Sequence, residues 1–384
     1  MSVAAPGRAE APTATEPSES GTERKPLGDF LLYVVLIALS LVGALGLAAI
    51  VLVATGYDAG SAFSEMWSGS FGSKDSFFTT LNHTAPILIV AIGACIAGRG
   101  GLINIGFEGQ FLVGGLGACA VATKLDAPSI VILPLTFVAG IVAAALWAGI
   151  AAVLKYTRGV NEVVSTLLLN FVAFQLAGWV LARQYLLQSS GRIGEPSSVL
   201  RAESDLIHDS AQLPFLSQGL GFLLEFTIAI AVPVALVAAF LLARTRWGFN
   251  LRASGLNPRA ARRFGVNVSR VGGTALVVSG ALAGLAGAAF LTGGAYRVTP
   301  GFASDYGWEG LLAGLVAGFR PMLAIPVALL YGAVRAGGGL LTASGVSTNL
   351  TGIVQALIVV AVTLPALYMH RRDRVRQMTA RQRT

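Results

Sequence analysis

Residues 100–110, Gly-Gly-Leu-Ile-Asn-Ile-Gly-Phe-Glu-Gly-Gln, place an asparagine, a glutamate and a glutamine inside a long apolar stretch. Four of these eleven residues are glycine, which weakens a helix by about 1 kcal/mol relative to alanine. An ionisable side chain at membrane depth costs about 3 kcal/mol or more unless it is paired or wet. Asn104, Glu108 and Gln110 therefore either line a polar pathway or brace one from within. In the bracing alternative, Glu108 caps a half-helix or accepts backbone N–H groups freed where Gly106 and Gly109 break the helix. Asn161, Glu162 and Asn170 pose the same choice, with Glu162 placed to brace a helix start. Asn104, Gln110, Asn170 and Gln175, with Phe107 and Trp308, form a set of amides and aromatics suited to a neutral, polar, aromatic-faced solute. The same set passes a sugar.

The pattern Gly-aromatic-Glu-Gly occurs twice, as Gly106-Phe107-Glu108-Gly109 and as Gly307-Trp308-Glu309-Gly310. Arg335, in a late apolar run, either pairs with Glu309 or snorkels outward. Other chemistry is missing from the sequence. A phosphate-binding P-loop needs Lys directly after Gly, and Lys25, Lys74, Lys124 and Lys155 follow Arg, Ser, Thr and Leu. Cys95 and Cys119 lie in apolar runs and read as packed thiols. His83, His208 and His370 lack metal-ligand spacing. No cofactor is expected on the chain, so any transport draws on an ion gradient, on a separate ATPase, or on neither.

The elements that must position these groups are membrane helices. The chain of 384 residues is 54% hydrophobic and 12% charged, with mean hydropathy +0.71; soluble domains hold about 25% charged residues. Apolar runs near the length that spans a bilayer, about 20 residues, fall at 30–54, 81–97, 102–122, 130–154, 160–182, 220–243, 271–292, 322–341 and 348–368. A short run at 308–319 counts as a broken or tilted crossing. That gives an all-α polytopic protein of about ten crossings; nine, with the short run re-entrant, is the alternative. The two Gly-aromatic-Glu-Gly copies then fall in crossings three and eight, equivalent places in two halves of five. Five is odd, so the halves are expected to be inverted, an arrangement that places broken helices near the midplane. Most of the 27 basic residues fall between crossings on one side and in the C-terminal tail, which puts both termini in the cytoplasm and argues against nucleic acid as a partner despite the net charge of +8.

Residues 1–29 read as a disordered cytoplasmic tail, 30–370 as the transmembrane domain, and 371–384 as a basic cytoplasmic tail. The segment 183–219 is a long external loop, either docking a partner or, by default, mobile. The internal segment 244–270 carries seven basic residues, and Asn257-Pro258 marks a helix start within it. A short amphipathic helix at the cytoplasmic face is expected there.

The run Gly98-Arg99 through Gly115 resembles the signature of permease subunits of bacterial ABC importers in the nucleoside and simple-sugar group, within the branched-chain amino acid and ribose permease superfamily. Residues 159–173 resemble the fifth-helix region of its nucleoside-type members, and 255–268 resemble their cytoplasmic coupling segment. The resemblance runs from about residue 81 to the end. It implies a subunit of the bacterial cell membrane that forms the translocation pathway beside a second permease, identical or not. It further implies a cytoplasmic ATPase, which binds ATP and magnesium and docks within 250–266, and an extracellular or periplasmic binding protein that delivers substrate. The implied pathway or bracing residues are Asn104, Glu108, Gln110, Asn170, Gln175 and Glu309; the implied coupling residues are Asn257, Pro258, Ala260, Ala261 and Gly265. Nucleosides are the expected cargo, with simple sugars or branched-chain amino acids as alternatives. An ion-coupled secondary transporter is a separate possibility, kept open by Glu108 and Glu309, in which the basic internal helix has no required role; a membrane scaffold is a third, which would need neither glycine-broken spans nor a buried glutamate.

Overall fold

The computed structural model describes residues 27–183, 185–189, 202–216, 224–361, 365 and 368. Of the tails expected at 1–29 and 371–384, residues 1–26 and 371–384 lie outside the described residues, and 27–29 belong to the first helix. The elements run α1 (Leu27–Ala54), α2 (Ala59–Phe71), α3 (Lys74–Arg99), α4 (Phe107–Lys124), α5 (Ser129–Arg158), α6 (Glu162–Leu181), α7 (Thr227–Arg244), α8 (Arg246–Leu256), α9 (Pro258–Arg263), α10 (Val268–Phe290), α11 (Tyr306–Val316) and α12 (Pro321–Ala343). A further apolar helix, α13, spans Thr348–Ala361.

Among the described residues, six helices are long and apolar enough to cross a membrane: α3, α5, α6, α7, α10 with its continuation to Ala295, and α12. The chain is thus a helical, multi-pass membrane protein. α4 and α11 stand apart from that group. α11 has only 11 residues, and α4 is buried along most of its length. Lipid is as apolar as leucine, so helices associate in it chiefly by close backbone approach and hydrogen bonds. The centre of the bundle follows that rule. α4, α5 and α10 meet at Gly114, Gly140 and Gly284, where a Cβ on Gly114 would lie 2.3 Å from the Gly284 Cα and one on Gly284 would lie 2.3 Å from the Gly140 carbonyl oxygen. α5 packs along α10, and α12 packs along α3; α4 lies against α10, and α11 against α3.

Three features depart from the sequence expectation. Residues 102–106 are not helical, and α4 starts at Phe107, because Ile105 and Gly106 give backbone groups to the side chains of Thr166, Asn170 and Asn104 instead of to a helix. α2, absent from the hydropathy reading, is too polar to register yet packs against α12; Asp58 caps it by accepting the Ser61 N–H at 2.7 Å. The described part of the 183–219 segment, expected as a mobile external loop, is stitched down. Its N–H groups at Ser204, Ile207 and Leu213 donate to the carbonyls of Val298, Tyr296 and Thr292 at 2.8–2.9 Å, and the His208 N–H reaches the Ala122 carbonyl at 3.1 Å. Ile207 and Ala211 are buried, which supplies the apolar anchor.

α10 passes into one π-helical turn, Leu291–Ala295, and then into an irregular segment that runs buried through Val298, Phe302 and Ala303. Tyr296, Ser304 and Asp305 adopt positive φ there, at 56°, 41° and 68°. Irregular backbone survives at membrane depth only where protein supplies its hydrogen-bond partners, and those partners form the site.

Candidate functional site

The two broken helices meet at their N-termini. α4 and α11 approach so closely that a Cβ on Gly307 would lie 2.3 Å from the Glu108 backbone nitrogen; only glycine fits there. The Glu108 carboxylate, on the first turn of α4, reaches across to the start of α11. Its Oε1 accepts the Asp305 N–H and its Oε2 accepts the Gly307 N–H, each at 2.8 Å. Both oxygens act as acceptors, the role of an ionised carboxylate. Glu108 thus closes the donors that the α11 N-terminus leaves open, and its glycine neighbours allow the approach.

The start of α4 is held by amides. Asn104 and Gln110 form a reciprocal pair, Asn104 Nδ2 donating to Gln110 Oε1 at 2.8 Å and Gln110 Nε2 to Asn104 Oδ1 at 3.1 Å. Asn104 Oδ1 also accepts the Gly106 N–H, and its Nδ2 donates to Ser279 Oγ on α10, both at 2.9 Å. From α6, Asn170 Oδ1 accepts the Gly109 N–H and Asn170 Nδ2 donates to the Ile105 carbonyl, both at 2.9 Å, while Thr166 Oγ1 accepts the Ile105 N–H at 3.1 Å. Asn104, Glu108, Gln110 and Asn170 are all buried. Their hydrogen-bonding groups are engaged within the chain, so they clasp the unwound segment instead of facing an open channel.

Glu309, the counterpart of Glu108 in the second tetrapeptide, has another partner. Arg335 on α12 donates from Nη1 to Glu309 Oε1 at 2.9 Å and from Nη2 to the Ser304 carbonyl at 2.7 Å. The other Glu309 oxygen, Oε2, is buried and has no hydrogen-bond partner among the described residues. The Arg335 guanidinium carbon lies 3.9 Å from the centroid of the Tyr306 ring. The Tyr306 hydroxyl contacts His83 Nδ1 at 2.6 Å, and its ring stacks on Phe111 with centroids 5.6 Å apart. Tyr306, His83, Thr166 and Ser279 escape a reading based on charge and amides. A tyrosine one residue before the repeated Gly307 was the one available clue to them.

Gln175 falls elsewhere. It is exposed on the outer face of α6 with Phe171, Phe174 and Trp179, remote from the buried clasp. Glu162 pairs with Lys155 across the α5–α6 turn, and Asn161 caps α6 by accepting the Val163 N–H at 2.8 Å.

The basic segment sits against residues 99–101, which lead into the clasp. Asn257 caps α9, its Oδ1 accepting the Arg259 and Ala260 N–H groups at 3.1 Å, and Pro258 takes the first helical position, where its missing N–H costs nothing. Leu256 and Phe264, at the two ends of α9, are 88% and 87% exposed, while Pro258, Arg259 and Gly265 are also exposed and Ala260 is half-buried. Ala261, expected among the docking residues, is buried at 5% exposure and turns toward its own bundle. α8 rests directly on the segment that leads to the clasp. Leu251 is fully buried beside Gly100, and a Cβ on Gly255 would lie 2.3 Å from the Arg99 carbonyl oxygen.

Crossing helices, broken helices that meet within them, and an exposed amphipathic segment seated on one break define a membrane permease. The chain matches the family described as the permease component of the branched-chain amino acid transport system over residues 76–363, and it belongs to that family. It is 32% identical over 325 residues to the guanosine ABC transporter permease protein NupP of Bacillus subtilis, covering 83% of this chain and 90% of that one. It is 31% identical over 325 residues to the glucose ABC transporter permease protein TsgB13 of Haloferax volcanii, covering 84% of each. The nucleoside ABC transporter permease protein NupB of Lactococcus lactis subsp. cremoris is 28% identical over 320 residues, with 82% of this chain and 86% of that one covered.

Proposed function

We propose that this chain is the membrane-spanning permease subunit of an ATP-driven importer whose cargo is nucleosides. The observation that carries the reading is the seat of α8 against Arg99, Gly100 and Gly101, which ties the exposed basic segment to the buried clasp through backbone contact. A cytoplasmic ATPase, holding ATP and magnesium, docks on Asn257, Pro258, Ala260 and Gly265, with Leu256 and Phe264 as its apolar anchors. Movement there pushes on the 99–106 segment and so on the N-terminus of α4. Two of the relatives are named for guanosine or nucleosides and one for glucose, so a simple sugar is the second reading.

The architecture proposed is ten crossings in two inverted halves, with both termini cytoplasmic. In support, the α5–α10 contact matches the α12–α3 contact, and α4–α10 matches α11–α3, as expected if α3, α4 and α5 correspond to α10, α11 and α12. Arg99 Nε donates to the Phe319 carbonyl at 2.8 Å, so the loops after α3 and α11 share one face, which their arginines assign to the cytoplasm. The clasp residues Asn104, Glu108, Gln110, Asn170 and Glu309 brace the pathway. The pathway itself runs between this chain and a second permease, along the α6 face. An amide directed into lipid is costly, and the exposed Gln175 gains a purpose if that face meets a polar passage instead. An external binding protein delivers the solute over the 202–216 segment.

The test is copurification with the ATPase partners, followed by ATP hydrolysis in liposomes with binding protein and guanosine or glucose. Stimulation by guanosine supports the reading. Stimulation by glucose alone transfers it to sugars, and uptake driven by an ion gradient without ATPase overturns it.

A further inference from the structure

The membrane-facing side of α5 carries a groove that the transport reading leaves unused. Leu146, Gly149, Ile150, Val153 and Leu154 line it from α5 and Val277 closes it from α10, enclosing about 580 Å³ without a charged or polar side chain. The groove runs toward the end of α5 that holds Lys155 and Arg158.

Two arginines continue it. Arg158 stands one turn, about 6 Å along the axis, beyond Leu154 on the same face of α5. Arg270 stands two turns, about 10 Å, ahead of Val277 on the same face of α10. Both are exposed, and neither makes an ion pair among the described residues; the nearby Lys155 is taken by Glu162. Between them Tyr156 leans on α10 so closely that its hydroxyl occupies the place of a Cβ on Gly272, which puts an aromatic at the level where apolar lining gives way to charge. An open apolar groove of acyl-chain size, continued by two guanidinium groups that make no ion pair among the described residues, matches one class of ligand.

We infer that the α5–α10 groove binds an anionic glycerophospholipid, with one acyl chain in the slot and the phosphate between Arg158 and Arg270. Basic pockets between helices at the cytoplasmic side suit such headgroups, and guanidinium pairs with phosphate in a two-pronged geometry. The orientation proposed above decides only which leaflet supplies the lipid. Binding in detergent does not depend on it, so a failed topology and a failed lipid site are separable.

The experiment uses the full chain in neutral detergent, titrated with phosphatidylglycerol or with phosphatidylcholine of the same acyl chains, followed by native mass spectrometry and thermal unfolding. Phosphatidylglycerol should bind one per chain in preference to phosphatidylcholine and raise the unfolding midpoint. Arg158→Gln and Arg270→Gln should each lower that preference about fivefold. Gly149→Leu should abolish binding of the lipid without lowering the midpoint in plain detergent, since a Cβ there meets nothing closer than Val277 Cγ2 at 4.0 Å. Equal binding of the two lipids, or undiminished binding by Gly149→Leu, overturns the inference. So does an equal midpoint shift from glycerol phosphate, which would make the acyl slot irrelevant, or a change of oligomeric state in Gly149→Leu, which would mean that a second chain fills the groove.

Discussion

Replacing Glu108 separates its two oxygens as probes. Each accepts one backbone N–H, from Asp305 and from Gly307, at 2.8 Å. Alanine strands both buried donors. Each orphaned donor costs about 1–3 kcal/mol, so Glu108→Ala should lose about 2–6 kcal/mol. Glutamine keeps one acceptor oxygen but turns an NH2 group toward the other N–H, so Glu108→Gln should lose about 1–3 kcal/mol. The order wild type, Gln, Ala should therefore hold in thermal unfolding in detergent, with uptake following the same order. The donors belong to the start of α11, so proteolysis of the 296–305 segment should rise in parallel. Wild-type stability in both variants with transport abolished would refute the bracing argument and assign the charge a direct part in transport. Equal loss in Gln and Ala would refute the idea that the oxygens act separately.

Gly307→Ala should fail to fold or assemble, because its Cβ would lie 2.3 Å from the Glu108 nitrogen; surface expression and size-exclusion profile report it. Arg335→Met should lose about 3 kcal/mol by stranding Glu309, and the double variant Arg335→Met/Glu309→Gln should recover part of it in a double-mutant cycle; strict additivity would mean that the pair is not coupled. A cysteine at Arg259 should resist membrane-impermeant labelling in intact cells, and ready labelling would invert the topology. Ala260→Glu should leave the fold intact yet uncouple ATP hydrolysis from uptake, since Ala260 is half-buried on a helix of six residues and a charge at an interface costs over a hundredfold in affinity; normal uptake would remove α9 from the docking surface.

Much of the site was legible because membranes make polar residues conspicuous. Asn104, Glu108, Gln110 and Asn170 stood out against apolar neighbours, and the repeated tetrapeptide marked both helix starts. The identity of their partners was not legible, because Glu108 bonds backbone groups some 200 residues away, and a backbone N–H has no letter in a sequence. Gln175 could not be placed for the same reason: an amide in a span signals that something polar lies beside it, and cannot say whether that lies inside the chain or outside. Ala261 misled because a helix of six residues is too short for its inward face to be read from periodicity. α2 escaped because Ser, Gly and Glu dilute its hydropathy, although Met66 and Ala62 bury well.

The meeting of α4 and α11 has an electrical consequence. A helix N-terminus carries about half a positive elementary charge, so two of them facing each other in a medium of low dielectric amount to about one. When ionised, the Glu108 carboxyl supplies one negative charge at that point, and Arg335 is matched by Glu309. The charges at the α4–α11 junction therefore largely offset one another, with Asp305 standing exposed beside them. A transmembrane potential of 100 mV does about 2.3 kcal/mol of work on each elementary charge carried across. A junction whose charges offset one another gives that potential little to act on.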